Sequence, residues 1–155
     1  MKTSITKKLD ELGIKYTVKP HRQPVYTSQD AARERNVRLS QIVKTMLLMD
    51  RDGKMVVAVL PGDRRLDIKK IKKLLGVKDL RFLDKETVEK RLGLVAGAIA
   101  PIAELFDGLE MFVDPTVFDE DFVDISSGVA SAGLELSRKD LRSLLEECNV
   151  VKITI

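Results

Sequence analysis

Apolar positions along this chain follow two spacings. Ile5, Leu9 and Leu12 recur at helical intervals behind Thr3 or Ser4, either of which can cap the turn, and Gly13 closes it. Lys15 to Val18 alternates and predicts a strand. Pro20-His21-Arg22-Gln23-Pro24 predicts a loop, and Ser28 predicts the cap of a short helix through Ala31, Ala32 and Arg35, ending near Asn36. Residues 42–49 and Met55–Leu60 are apolar on both faces and flank Asp50-Arg51-Asp52-Gly53, which reads as a β-hairpin in the centre of a sheet. Asp67 caps a helix carrying Ile68, Ile71, Leu74 and Leu75 before Gly76. Leu80–Leu83 is a short strand, and Asp84 caps a helix over Lys85–Leu92. Strands follow at Glu110–Val113, Val123–Ser126 and Leu134–Leu136. Ser137 then opens a helix burying Leu141, Leu144 and Leu145, and Val150–Ile155 is a last strand.

Hairpins interleaved with helices give a mixed α/β (α+β) fold, not a Rossmann repeat. At 155 residues, one domain spanning 1–155 is expected. No apolar run approaches a membrane span, and the N-terminus opens into a charged amphipathic segment rather than a signal peptide, so the expected location is cytoplasmic and no membrane partner is expected. Cys148 is the only cysteine, which excludes an internal disulfide. With a single histidine as well, neither a zinc site nor a cofactor is expected.

One lysine breaks the apolar pattern. In Gln-Ile-Val-Lys-Thr-Met-Leu-Leu-Met, strand alternation puts Lys44 on the same face as Ile42, Met46 and Leu48. An ammonium there is costly unless an anion or a wet cavity receives it. It can also snorkel along its stem to water, and the strand by itself leaves both readings open.

The net charge is only +3, but Arg64, Arg65, Lys69, Lys70, Lys72 and Lys73 fall within ten positions. That cluster suits a phosphate backbone, and equally a solvated helix face. Gly93, Gly97 and Pro101 are spaced by four in Gly-Leu-Val-Ala-Gly-Ala-Ile-Ala-Pro. The segment is neither a Walker loop nor a G-x-G-x-x-G turn. Its N–H groups can hold an oxyanion or a carbonyl oxygen, and Leu94, Val95 and Ile99 can bound a small pocket. Ser126-Ser127-Gly128 is a second polar turn able to line it. No His–Asp pair stands ready to activate these serines, which disfavours a serine hydrolase.

Together, Lys44 in Val-Lys-Thr-Met-Leu-Leu, the G-x-x-x-G-x-x-x-P loop of 93–101 and the strand ending in Ser-Ser-Gly resemble the YbaK/ProX family of aminoacyl-tRNA editing deacylases. This family is related to the editing domain of bacterial prolyl-tRNA synthetase. Pro24-Val25-Tyr26-Thr27 and Asp63-Arg64-Arg65-Leu66-Asp67 with its lysine-rich helix extend the likeness over nearly the whole chain. The resemblance implies a curved, partly barrel-like mixed sheet flanked by helices. It implies hydrolysis of the ester joining a wrong small amino acid to tRNA, as in Cys- or Ala-tRNA(Pro), with mischarged tRNA and prolyl-tRNA synthetase as partners. Lys44 and Gly97 take the catalytic positions. Gly93, Ala98, Ile99, Pro101, Ser126, Ser127, Gly128 and His21 take the substrate, and the basic cluster takes the acceptor stem. The resemblance also marks a departure: some cysteine-specific members carry an acid on the segment where this chain has Gly133, and Glu135 lies two positions along the same strand face.

The resemblance implies substrate-assisted chemistry. Loop N–H groups hold the oxyanion, Lys44 neutralises or positions the tRNA end, and a water guided by the ribose hydroxyl, or a substrate thiol, attacks. The alternative is a module that binds charged tRNA or a synthetase without turnover.

Overall fold

The computed structural model describes residues 1–94 and 99–155. The helices are α1 (Ser4–Glu11), α2 (Ser28–Arg35), α3 (Ile68–Leu75), α4 (Lys85–Leu92) and α5 (Arg138–Leu144). The strands are β1 (Thr17–Pro20), β2 (Val43–Met49), β3 (Met55–Pro61), β4 (Arg81–Phe82), β5 (Glu110–Val113), β6 (Phe122–Ser126), β7 (Ala132–Ser137) and β8 (Asn149–Val150). They form a five-stranded mixed sheet in the order β4-β2-β3-β5-β8 and a three-stranded antiparallel sheet in the order β1-β7-β6. Both sheets are open, so the curvature expected from the resemblance does not amount to a barrel.

The expected hairpin is β2–β3, paired from Val43↔Pro61 to Met49↔Met55. Its lack of polar alternation has a physical cause, because the sheet is covered on both faces. Val43, Leu47, Val57 and Val59 enter the main core, which also takes Val123, Ile125, Leu134 and Leu136 from the smaller sheet. Leu48, Val56 and Ala58 face a second cluster with Ile71 of α3 and Ile153. β3 is buried throughout.

Local signals place most helix ends. Thr3, Asp67, Asp84 and Ser137 cap their helices through the side chain, and Gly76 and Gly93 end α3 and α4 in the left-handed region. Three boundaries differ from expectation. α2 is capped by Thr27, whose hydroxyl accepts from the Asp30 N–H at 3.1 Å, rather than by Ser28. β1 lies two residues later than its alternation suggested, because its register is set by β7: Thr17 faces Glu135 and Pro20 faces Ala132. The C-terminal strand shrinks to Asn149–Val150. Beyond it, the Ile153 N–H and the Thr154 hydroxyl both donate to buried Asp114, at 2.9 and 3.0 Å, and Thr154 forms a single bridge with Leu66.

Candidate active site

β4 covers the outer edge of β2 only at Leu48 and Met49. The earlier part of that edge, around Lys44, Thr45 and Met46, is flanked instead by β6, which meets it through a parallel bridge between Ile42 and Asp124. A cavity of about 410 Å³ opens at this junction, within the usual range for a small-molecule cleft. Lys44 lines it together with His21, Ile99, Ser126 and Gly128.

Lys44 is half-buried, and its side chain makes no hydrogen bond or ion pair among the described residues. Burial holds its ammonium below the ordinary lysine pKa, and the Asp63 carboxylate, too far for an ion pair, pulls it back up. A cation in this position retains attraction for an anion arriving from outside. Its place on the cavity wall puts that charge within reach of a bound anion.

The expected serine turn divides into two roles. Ser126 reaches the cavity wall, and its hydroxyl accepts from the Gly128 N–H at 3.2 Å. Ser127 is fully buried and does not line the cavity. Its hydroxyl donates to the Ala132 carbonyl at 2.6 Å, and its own carbonyl accepts from the Thr3 hydroxyl at 2.5 Å. The expected substrate role of Ser127 is thus replaced by a bracing role, since its polar atoms are spent inside the turn.

The structure describes part of the glycine loop. Gly97 and Ala98, expected in the site, and Val95, expected at its rim, lie outside the described residues. Ile99 lines the cavity. Gly93 is the exposed cap of α4, with φ +66°, and Pro101 is buried next to core residue Ile102; neither lines the cavity. Leu94 packs against the main core instead of bounding the pocket. Of the basic cluster, Arg64, Arg65, Lys69, Lys70 and Lys73 are exposed and Lys72 is half-buried, on α3 and the turn before it. None joins an ion pair among the described residues. Asp63, whose charge reaches Lys44, starts the same turn.

Beneath the cavity lies a polar cluster that the sequence reading did not assign. In the smaller sheet Val123 and Ile125 face the core, which turns Asp124 to the other side. There it stands opposite Glu135. Lys19 pairs with Glu135 and lies 3.7 Å from Asp124 Oδ1; Arg35 Nη1 lies 3.9 Å from the same oxygen. Asp124 is completely buried, and burial pushes its carboxyl up to about 7, with Glu135 adding to the rise and Lys19 and Arg35 opposing it. Burial would raise Glu135 too, but its hydrogen bonds with Lys19 and Asp124 hold it below the usual range. With both acids ionised, neither can donate to the other, and both Asp124 oxygens lack a hydrogen bond among the described residues. With one proton present, it rests on Asp124, the more deeply buried of the two. Glu135 is therefore engaged with Lys19 and is absent from the cavity wall, whereas Asp124 and Arg35 both line the cavity.

Gly133 explains how Arg35 fits. A Cβ at that position would overlap the Arg35 guanidinium. With no side chain at Gly133, that space is filled by the guanidinium of Arg35 from α2. An acid inside the apolar run Phe-Val-Asp-Ile could have been noticed by the reasoning applied to Lys44. Arg35 carried no such signal, because a helix of mostly polar residues does not reveal which one turns inward.

Comparisons with known proteins identify the family of this domain. Residues 22–144 match the family model of the aminoacyl-tRNA editing domain. The prolyl-tRNA editing protein ProX of Acetoanaerobium sticklandii is 30% identical over 149 residues, covering 94% of this chain and 90% of that protein. A protein of Enterococcus faecalis named as a Cys-tRNA(Pro)/Cys-tRNA(Cys) deacylase, EbsC, is 28% identical over 76% of this chain and 71% of its own length. The proline–tRNA ligase of Thermosipho africanus is 32% identical over 93 residues, and this chain spans only 16% of that enzyme. Among solved structures, the protein APE2540 superposes with a TM-score of 0.84 at 27% identity, covering 99% of this chain and 100% of that one. A structure described as a trans-editing enzyme for prolyl-tRNA synthetase superposes with a TM-score of 0.81, covering 100% of this chain and 99% of that one. At 21% identity it speaks for the fold alone.

Proposed function

The chain belongs to the aminoacyl-tRNA editing domain family, whose relatives are named as editing proteins and deacylases, and from that premise we propose that it acts in trans on mischarged tRNA, cleaving the ester to a small amino acid. Cys- and Ala-tRNA(Pro) head the candidate substrates. The observation that carries this reading is Lys44: half-buried, unpaired among the described residues, and lining a cavity with Ile99, Ser126 and Gly128.

The chemistry asks little of the protein. A water guided by the ribose hydroxyl next to the ester attacks the acyl carbon. The carbonyl π pair moves to its oxygen, then returns as the bond to the ribose oxygen breaks. The proton lost by the water ends on that ribose oxygen, giving free amino acid and tRNA. Backbone amides of the 93–101 loop hold the oxyanion, a donor of this kind being worth roughly 2.7–4 kcal/mol. Lys44 offers its charge to the phosphate of the terminal nucleotide. Its pKa is displaced in the direction a general base needs, but a charged ammonium suits an anion partner better. The Ser127 hydroxyl is spent on the Ala132 carbonyl, and the Ser126 hydroxyl has no histidine or carboxylate bonded to it among the described residues, so this route uses water rather than a protein nucleophile. The exposed basic strip from Arg64 to Lys73 receives the acceptor stem, and prolyl-tRNA synthetase is the partner that generates the substrate.

The test is release of amino acid from Ala-, Cys-, Ser- and Thr-tRNA(Pro) under multiple turnover. Catalytic release from at least one, with correctly charged Pro-tRNA(Pro) spared, is expected. Stoichiometric binding without release would identify a carrier instead.

A further inference from the structure

Tyr26 has no part in the hydrolysis described above. It lies in the loop before α2 and is 78% exposed, although it lines the same cavity as Lys44. The other tyrosine, Tyr16, packs against the main core and donates its hydroxyl to Asp10 at 2.9 Å; Tyr26 does neither among the described residues. Nor does it fasten its own helix. Thr27 caps α2, which puts Tyr26 one residue before the cap, where a large apolar side chain ordinarily packs back onto the fourth helical residue. That residue is Ala31, and a ring stapled to it could not keep such exposure.

The backbone that carries the ring is nevertheless fixed on both sides. The Val25 N–H donates to the Ala130 carbonyl at 3.0 Å, and the Thr27 hydroxyl accepts from the Asp30 N–H at 3.1 Å. The bond from Val25 also brings this loop against the turn that carries Val129, which is 40% exposed and lines the cavity as well. An anchored, unused aromatic therefore stands at a rim with an aliphatic neighbour. Lys44 and Lys85 lie on the wall of the same cavity. Among its described lining residues the one carboxylate is Asp124, whose oxygens are both buried. A flat π face beside accessible cations matches a ligand that is itself a flat base joined to an anion.

We propose that Tyr26 is the platform on which the terminal adenine of the tRNA stacks. The proposal rests on the deacylase reading and deepens it by assigning a positioning residue for the nucleotide. The scissile ester is carried on the ribose of that same adenosine, so seating the base restrains the acyl carbon one sugar away. Tyr26 touches no reacting atom. Stacking reads a π face and not an amino acid, so its contribution is common to every mischarged tRNA that the protein accepts.

The experiment reads binding and turnover separately in the full chain. An acceptor-stem RNA hairpin ending in 2-aminopurine in place of the terminal adenine, with no amino acid attached, reports stacking by loss of its fluorescence. Wild type and Tyr26→Phe should quench it. Tyr26→Leu keeps apolar bulk without a π face; it should leave the hairpin bright and bind it about tenfold more weakly. An abasic 3′ end, followed by anisotropy, should cost wild type about the same factor and cost Tyr26→Leu nothing more. In Tyr26→Leu, kcat/KM should fall by one common factor for Ala-, Cys- and Ser-tRNA(Pro), with the thermal midpoint unmoved. The inference is overturned if Tyr26→Leu quenches as wild type does, if the two losses add, or if wild type does not bind the hairpin or is indifferent to its terminal base. Any of these results alongside catalytic release by wild type sinks this inference alone, whereas absence of both hairpin binding and release sinks the deacylase reading with it.

Discussion

At the residue scale, the site is built from charges kept where water is scarce. Lys44→Met keeps the apolar stem and removes the ammonium. Because burial works against that charge, the thermal midpoint should hold or rise, while deacylation falls by at least tenfold; calorimetry and a release assay check the two halves. Unchanged activity would remove Lys44 from the reaction. Asp124 gives a prediction in pH. An ordinary carboxyl in the unfolded chain ionises near pH 3.9, while burial holds the folded one near 7. Between those values the native state keeps a proton that the unfolded state releases, so this residue's contribution to stability declines as pH rises through that window and is level above it. Thermal melts at pH 4.5 and 7.5 should therefore show the Asp124→Asn variant gaining on wild type at the higher pH. Parallel curves would mean that Asp124 is not protonated in the fold.

At the element scale, α3 has two faces of opposite character. Asp67 and Gly76 fix its ends and Ile71 is fully buried beneath it, while Lys69, Lys70 and Lys73 stand outward. Changing Lys69, Lys70, Lys72 and Lys73 to Gln should leave the fold intact and flatten the salt dependence of tRNA binding. The log–log slope should drop by roughly 0.7–0.9 for each lysine that meets a phosphate, read from filter binding between 50 and 200 mM salt. An unaltered slope would put the RNA on another face. Such helices were legible in the sequence because cap, apolar spacing and C-terminal glycine are local. The hairpin was legible for the same reason, its turn and two apolar runs being contiguous. β1 and β8 were misplaced because their limits are set by distant partners, β7 for one and the pull of Asp114 on Ile153 and Thr154 for the other. Lys44 betrayed itself by standing among apolar neighbours, whereas Arg35 acquires its role only when the chain folds Gly133 against it.

At the scale of the whole molecule, Asp114 links the central sheet to the C-terminal segment. Although burial acts to raise its pKa, bonds from Thr116, the Ile153 N–H and Thr154 hold its carboxyl below the usual range. Asp114→Ala strips the acceptor from several buried donors and should cost about 3 kcal/mol, or roughly 6–12 °C in the thermal midpoint. In wild type the charged carboxyl's contribution is fully present above the unfolded value and is lost as pH falls through the lowered folded one. Urea melts at pH 2.5 and 7 should therefore show the gap between variant and wild type narrowing at the lower pH. The first turn of α1 reaches equally far, since the Thr3 hydroxyl fastens the backbone of the turn beside the cavity at Ser127. An appendage or deletion at the amino end therefore acts as a lever on a turn bordering that hollow, over a hundred positions away in the chain. Preparations differing only in their leader peptide are expected to disagree in turnover while their melting curves remain alike.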